Sequence, residues 1–148
     1  MIEAHRVAKS VFEEKIPFNR VLGLEVVDLD SETARLRFRM REELIGNFVH
    51  RSLHGGVVSA AIDATGGLVA YASQFPTDAD SSPSASDALA RTGTVDLRID
   101  YLRPGKGERF EITGSVLRKG RRFLVAQMSL SNETQTLIAT GTGVYSLG

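Results

Sequence analysis

Residues 53–73 read LHGGVVSAAIDATGGLVAYAS, and this stretch decides the fold of the 148-residue chain. Apolar residues fall on nearly every side of it when it is drawn as a helix, and it is far too long for an ordinary strand. The sequence therefore predicts a helix from His54 to Ser73 that is buried all round. Asp63, at its middle, is the one carboxylate in the helix. Because an unpaired carboxylate is costly in an apolar setting, Asp63 is the first candidate for a functional role.

Two pairs of glycines mark this helix. Gly55 and Gly56 stand at its N-terminus, where free N–H groups and the positive end of the helix dipole favour a developing negative charge. The pair is a possible oxyanion site. Gly66 and Gly67 lie inside the helix and each cost about 1 kcal/mol relative to alanine. They indicate either the close approach of another backbone or bound chain, or simply easier packing against a sheet.

Composition limits the class of protein. The chain is 42% apolar and 24% charged, which is typical of a soluble globular protein, and we expect a single domain over residues 1–148. Eighteen basic and eighteen acidic residues leave no net charge, so nothing suggests nucleic acid or a membrane surface as partner. Cysteine is absent, which excludes disulfides and thiolate sites and fits a cytoplasmic protein. Residues 1–15 lack the apolar region of a signal peptide.

The remaining segments complete an α+β pattern. Residues 3–15 predict an amphipathic helix, residues 23–40 a β-hairpin, and residues 94–145 four strands with short antiparallel connections. Residues 76–93 are rich in Pro, Ser and Asp, so we expect a flexible loop, either a lid or a disordered segment. Arginines alternate with apolar residues from 35 to 41, so this row either binds phosphates or, as is usual for charges on a strand, forms its solvated face. This order predicts one sheet that curls around one helix.

Several catalytic chemistries find no support in the sequence. The only histidines are His5, His50 and His54, and the last two lack an acidic partner nearby, so we expect no metal site. No nucleophile elbow, P-loop or dinucleotide-binding fingerprint occurs. The candidate chemistry is therefore that of a glycine-capped helix start and one buried aspartate.

The motif His54-Gly55-Gly56 followed by Asp63, the later strand TVDLRIDYLRP and the closing IATGTGVYSLG resemble the PaaI-like group of hotdog-fold acyl-CoA thioesterases. The resemblance runs from Ile16 to Gly148. It implies the hotdog fold, a curved antiparallel sheet wrapped around one long buried helix. It also implies hydrolysis of an acyl-CoA to free acid and coenzyme A, with no cofactor beyond the coenzyme A of the substrate.

The resemblance also implies residue roles. Asp63 is the general base or nucleophile, the N–H of Gly55 polarises the thioester carbonyl, Asn47 orients the attacking water and Thr94 assists. We expect His54 to cap the helix or fix its loop rather than to act as a base. Gly56 is expected to contribute to substrate binding. Four basic residues surround a hairpin turn and either hold coenzyme A phosphates or form an ordinary exposed turn: Arg118, Lys119, Arg121 and Arg122.

Helix geometry indicates a shared site. Gly55 and Asp63 are eight residues apart, about 12 Å along a helix axis, so one thioester carbonyl cannot reach both within one chain. Two antiparallel copies of the helix could bring Gly55 of one subunit beside Asp63 of the other. The resembling family is understood to build its sites this way. We therefore expect a homodimer with two inter-subunit sites, and a dimer of dimers, a homotetramer, stays open.

Two other functions remain as alternatives. A non-catalytic acyl-CoA sensor or carrier could use the same pocket. A hotdog dehydratase would need a catalytic histidine with an acidic partner, which His54 followed by two glycines fits poorly. The acyl group is not readable from the sequence, although Leu68, Val69 and Phe75 suggest an apolar tunnel.

Overall fold

The structure is a computed structural model that describes residues 2–76 and 83–148. Its α-helices are α1 (Glu3–Ser10), α2 (Pro17–Leu22), α3 (Gly55–Ala72) and α4 (Ala85–Arg91). Its strands are β1 (Glu25–Leu29), β2 (Thr33–Arg39), β3 (Ile45–Asn47), β4 (Ser52–Leu53), β5 (Gly93–Tyr101), β6 (Arg109–Lys119), β7 (Phe123–Asn132) and β8 (Leu137–Ser146). The amphipathic helix predicted near the N-terminus is α1, which continues into a π-helical turn, Val11–Lys15.

Six strands form one antiparallel sheet in the order β1-β2-β6-β7-β8-β5, and β3 pairs with β4 beside it. The alternation in β2 sets its faces: Ala34, Leu36 and Phe38 are buried, while the arginines between them are exposed. The inner face of the sheet packs against α3, since β6, β7 and β8 all contact that helix. The predicted α+β arrangement of one curved sheet around one helix is therefore confirmed, with the small β3–β4 pair as an addition.

Strand β5 lies at an edge of the sheet. It pairs with β8 rather than with β6, the strand that follows it in sequence. Its other edge carries no strand within the described residues. Val95 is 57% and Tyr101 54% exposed, although their apolar alternation is typical of a strand with one buried face. An open backbone edge with exposed apolar side chains is what a second strand would cover.

Helix α3 is not buried all round as its sequence predicts. Its C-terminal half is enclosed, and Leu68 and Val69 are fully buried. A narrow face remains half-exposed, and its residues are Val57, Ser59, Ala60, Asp63, Ala64 and Gly67. We call these residues the open face of α3. The sequence suggested that Leu68, Val69 and Phe75 line an apolar tunnel. In the structure these three residues instead pack in the core of the chain.

Alone among the described helices, α3 is long and apolar enough to cross a membrane, and 56% of that stretch is buried within the protein.

The segment that follows α3 differs from the loop expected from the sequence. Of the loop expected over residues 76–93, part is the helix α4, capped by the Ser84 hydroxyl, which accepts from the N–H of Asp87. Ala88 anchors α4 because its side chain is fully buried. Residues 77–82 lie outside the described residues.

Candidate active site

The N-terminus of α3 is fixed by its capping histidine. His54 Nδ1 accepts a 2.8 Å hydrogen bond from the N–H of Gly56, and the His54 N–H donates to the carbonyl of Leu44 at 2.8 Å. Gly46 lies directly against it, since a Cβ on Gly46 would come within 2.6 Å of the His54 Cα. The ring is therefore used as a helix cap, the role expected from the sequence. The N–H of Gly56 is therefore occupied by its hydrogen bond to His54.

Gly55, the first residue of α3, is exposed and faces Tyr101 of β5. The Tyr101 hydroxyl donates to the Gly55 carbonyl at 2.8 Å, and a Cβ on Gly55 would be 3.5 Å from the tyrosine ring. Among the described residues, the Gly55 N–H has no hydrogen-bond acceptor. An unoccupied N–H at the positive end of a long helix is suited to stabilise an oxyanion. Tyr101 was expected only as a strand residue, and nothing in its local pattern marks it as a contact of the helix start.

Asn47 lies at the end of β3, in the turn that leads back to β4 and α3. Its side-chain oxygen accepts from the N–H groups of Val49 and His50, both at 3.1 Å. The side-chain oxygen therefore shapes the turn, and the exposed amide nitrogen is the part left to contact a substrate or a water. Asn47 belongs with His54 and Gly55 at the start of α3 rather than with Asp63.

Asp63 lies two turns further along α3, on the open face. The Thr94 hydroxyl, at the beginning of β5, donates to Asp63 Oδ1 at 2.9 Å. The Tyr145 hydroxyl, on β8, lies 3.3 Å from the same Oδ1 and 3.3 Å from the Asp63 carbonyl. Within the described chain no hydrogen bond reaches Oδ2. The carboxylate is thus held through Oδ1 alone.

Tyr145 lies next to the candidate Asp63, although the sequence does not single it out. Its side chain is fully buried, and burial first, then the neighbouring Asp63 carboxylate, raise the pKa of Tyr145 well above its usual value. The hydroxyl therefore stays protonated and can donate. A signal was present in the closing sequence, because Gly143, two residues before Tyr145 on the same face of β8, leaves room for the large ring beside it.

The glycines around Tyr145 explain part of the α3 sequence. A Cβ on Gly66 would lie 2.5 Å from Cζ of Tyr145, and one on Gly143 would lie 2.5 Å from its Cε2. A Cβ on Gly67 would meet nothing within 4 Å. Gly66 therefore eases packing against a side chain of the sheet, the second of the two explanations given for this pair, and no backbone of the described chain approaches it; Gly67 is part of the open face.

The basic hairpin joins β6 and β7 at the C-terminal end of α3. Lys119 Nζ donates to the main-chain carbonyl of Ser73, just beyond the last residue of α3, and partial burial lowers the pKa of Lys119. Its ammonium group therefore stabilises the helix end. Arg118, Arg121 and Arg122 are exposed. The hairpin lies near the beginning of β5, since Phe123 and Gly93 both pair with Ser146.

The candidate residues thus form two groups at opposite ends of β5. Asp63, Thr94 and Tyr145 lie at its beginning, while Gly55 and Tyr101 lie at its end. The chain brings each group together and keeps the two apart. In the part of the chain that the structure describes, no cluster of three or more His, Asp or Glu side chains could hold a metal ion.

Comparison with known proteins identifies the family of the chain. Residues 50–139 match the family described as Thioesterase superfamily, and this match covers more than half of the chain. The chain therefore belongs to the thioesterase superfamily, and it is a thioester hydrolase of the hotdog fold, as the resemblance of its motifs implied.

Individual relatives match this chain over nearly its whole length. The chain is 41% identical to the medium/long-chain acyl-CoA thioesterase YigI of Escherichia coli K12, over 99% of this chain and 95% of that protein. A crystal structure of a Shewanella oneidensis protein related to the thioesterase superfamily superposes with a TM-score of 0.92 at 41% identity, covering 99% of this chain and 96% of that one. The Escherichia coli PaaI protein shares the fold, with a TM-score of 0.80 at 17% identity over 98% and 94% of the two chains.

Proposed function

We propose that the protein hydrolyses acyl-CoA thioesters of medium to long chain length, with Asp63 as the reacting carboxylate. The observation that carries the proposal is the Asp63 carboxylate itself, held by Thr94 at 2.9 Å on the open face of a helix whose first N–H is free. The 41% identity to YigI over nearly the full length supports the substrate class.

Asp63 can act by either of two routes. As a general base, Asp63 removes a proton from water while the water oxygen bonds to the thioester carbon; collapse of the oxyanion breaks the carbon–sulfur bond, and the coenzyme A thiolate takes up the proton. As a nucleophile, Asp63 bonds to that carbon, expels the thiolate and leaves an acyl anhydride that water then hydrolyses. Both routes need an oxyanion donor and a group that orients the water; because Gly55 and Asn47 lie too far from Asp63 within one chain, the Gly55 N–H and the Asn47 amide of a partner subunit would serve.

The site is completed by a second copy of the chain. Supporting this, β5 presents an open edge with exposed apolar side chains, which a symmetric partner strand would cover. Antiparallel pairing of two β5 strands about their middle would set the beginning of one strand, with Thr94 and Asp63, beside the end of the other. Gly55 of the partner subunit, held there by the partner's Tyr101, would then face Asp63.

The open face of α3 supports the same dimer. It contains small side chains at Ala60, Ala64 and Gly67, which let a partner helix or a thin acyl chain come close to Asp63. Each dimer would carry two sites. A dimer of such dimers remains a further proposal, which sedimentation equilibrium would decide.

The absence of cysteine supports a cytoplasmic location.

Coenzyme A phosphates would bind the basic hairpin, above all Arg121 and Arg122. Their guanidinium groups are exposed near the beginning of β5, at the end of the strand where Thr94 and Asp63 lie. Arginine suits this role because its planar group binds phosphate through two parallel hydrogen bonds. Lys119 contributes less, since its ammonium group already contacts the end of α3.

The test is turnover of a panel of acyl-CoA esters, from short to long chains and with one aryl ester, followed by release of free thiol. Asp63→Asn should keep the fold and the dimer but lower kcat by about 100-fold or more, the scale expected for loss of a general base. Asp28→Asn is the matched control, because Asp28 is exposed on β1 at the opposite edge of the sheet. Binding of acyl-CoA without turnover by the wild-type protein would favour the sensor or carrier instead.

A further inference from the structure

We propose that Tyr145 is a positioning residue for Asp63: from a slot between two glycines, its buried hydroxyl and that of Thr94 hold one carboxylate oxygen and direct the other at the substrate. This inference rests on the proposed function, because it takes Asp63 as the reacting group. It adds a residue from β8, 82 positions away from Asp63 in sequence.

The slot fixes the tyrosine ring. Gly66 on α3 and Gly143, two residues before Tyr145 on the same strand, leave no room for a Cβ beside Cε2, Cζ and the hydroxyl of the ring, so both glycines pack against its hydroxyl end. Close packing around this end of the ring restricts its motion and keeps the hydroxyl in one place. That place is beside Asp63. Most buried tyrosines find a partner for their hydroxyl, but here the partner is the carboxylate on the open face.

The contacts divide the two carboxylate oxygens. Thr94 donates to Oδ1 at 2.9 Å, and the Tyr145 hydroxyl lies 3.3 Å from both Oδ1 and the Asp63 carbonyl. The tyrosine proton can go to either acceptor, and both belong to Asp63, so either bond fixes that residue relative to β8. Oδ2 is left to take a proton from water or to attack the carbonyl carbon. Because the tyrosine contacts are longer, Tyr145 should contribute less than Thr94.

The test compares two buried tyrosines. Tyr145→Phe removes only the hydroxyl, and we expect kcat for an acyl-CoA to fall about 5- to 10-fold while KM stays within about twofold of the wild-type value. Tyr71→Phe is the matched control: Tyr71 is also fully buried on the inner side of α3, but its hydroxyl contacts the Ala85 carbonyl at 3.2 Å, far from Asp63. Tyr71→Phe should leave kcat and KM unchanged.

A double-mutant cycle gives a second readout. Because Thr94 and Tyr145 share Oδ1, Thr94→Val combined with Tyr145→Phe should lower kcat by a factor that differs clearly from the product of the two single effects. A kcat for Tyr145→Phe within twofold of wild type would overturn the proposal. So would a loss of kcat that comes with a urea midpoint lower than that of Tyr71→Phe, since Tyr145 would then serve folding. Wild-type activity in Asp63→Asn would instead overturn the role of Asp63, so the two failures are distinguishable.

Discussion

Thr94 and Asp63 are 31 residues apart in sequence, and the Thr94 hydroxyl donates a 2.9 Å hydrogen bond to Oδ1 of Asp63. The bond joins the beginning of an edge strand to the middle of the central helix. A charge-assisted bond of this length can orient a carboxylate, and it leaves the second oxygen free.

Thr94→Val should lower kcat by about 10- to 30-fold with little change in KM, because the lost bond to a charged group contributes about 1.5–2 kcal/mol. Thr94→Ser keeps the hydroxyl and should retain most of the activity. Steady-state kinetics on one acyl-CoA would decide. If the valine and serine variants lost activity equally, the methyl group and not the hydrogen bond would matter.

Mixed dimers should recover activity if the site is shared. One parent is Asp63→Asn. The other is Gly55→Pro, which removes the N–H donor; proline is tolerated at the first position of a helix, and His54 already has the extended conformation that precedes proline. Each homodimer should be nearly inactive.

In the heterodimer, one site carries both substitutions and the other carries none. Purified heterodimers with two different tags should therefore reach about half of the wild-type turnover. Folding and dimerisation of the Gly55→Pro parent are verified first by circular dichroism and sedimentation. A verified heterodimer that stays inactive would exclude the shared site.

The basic hairpin should act on binding and not on the chemical step. Arg121→Ala with Arg122→Ala should raise KM for an acyl-CoA several-fold and leave kcat nearly unchanged, because phosphate contacts far from the carbonyl contribute uniform binding. A short thioester without the nucleotide should be hydrolysed equally by variant and wild type. Arg37→Ala is the control, since Arg37 pairs with Glu25 at 2.8 Å near the other edge of the sheet. Equal losses on both substrates would assign the hairpin to folding.

The two neighbouring glycines of α3 should respond differently to alanine. Gly66→Ala pushes its methyl group into the ring of Tyr145 and should lower the free energy of unfolding by about 1–3 kcal/mol. Gly67→Ala meets no atom of its own chain, so the fold of the subunit should keep its stability or gain up to about 1 kcal/mol through better helix propensity, and any cost would arise only at the partner side of the open face. Urea unfolding at equal protein concentration measures both. If both alanine variants were equally destabilised, contact with the Tyr145 ring would not be the reason that Gly66 must be glycine.

The sequence by itself determined the long helix, the strands of the main sheet and the candidate chemistry, but not α2, α4 or the β3–β4 pair. Apolar residues on nearly every side over residues 54–73 predicted α3, and the alternation of Ala34, Leu36 and Phe38 with arginines predicted β2, because local periodicity reports which faces must leave water. The glycines after His54 and the lone carboxylate of Asp63 pointed to thioester chemistry through their resemblance to a family. These signals are local, so they could be read without coordinates.

Only the tertiary structure decided which distant residues meet. Strand β5 pairs with β8 instead of its sequence neighbour β6, and this pairing brings Thr94 and Tyr145 to Asp63 and Tyr101 to Gly55. The open face of α3 also came from packing, since the sheet of a single chain covers the helix incompletely. Strand order and coverage depend on the fit of all elements together, which no local pattern contains.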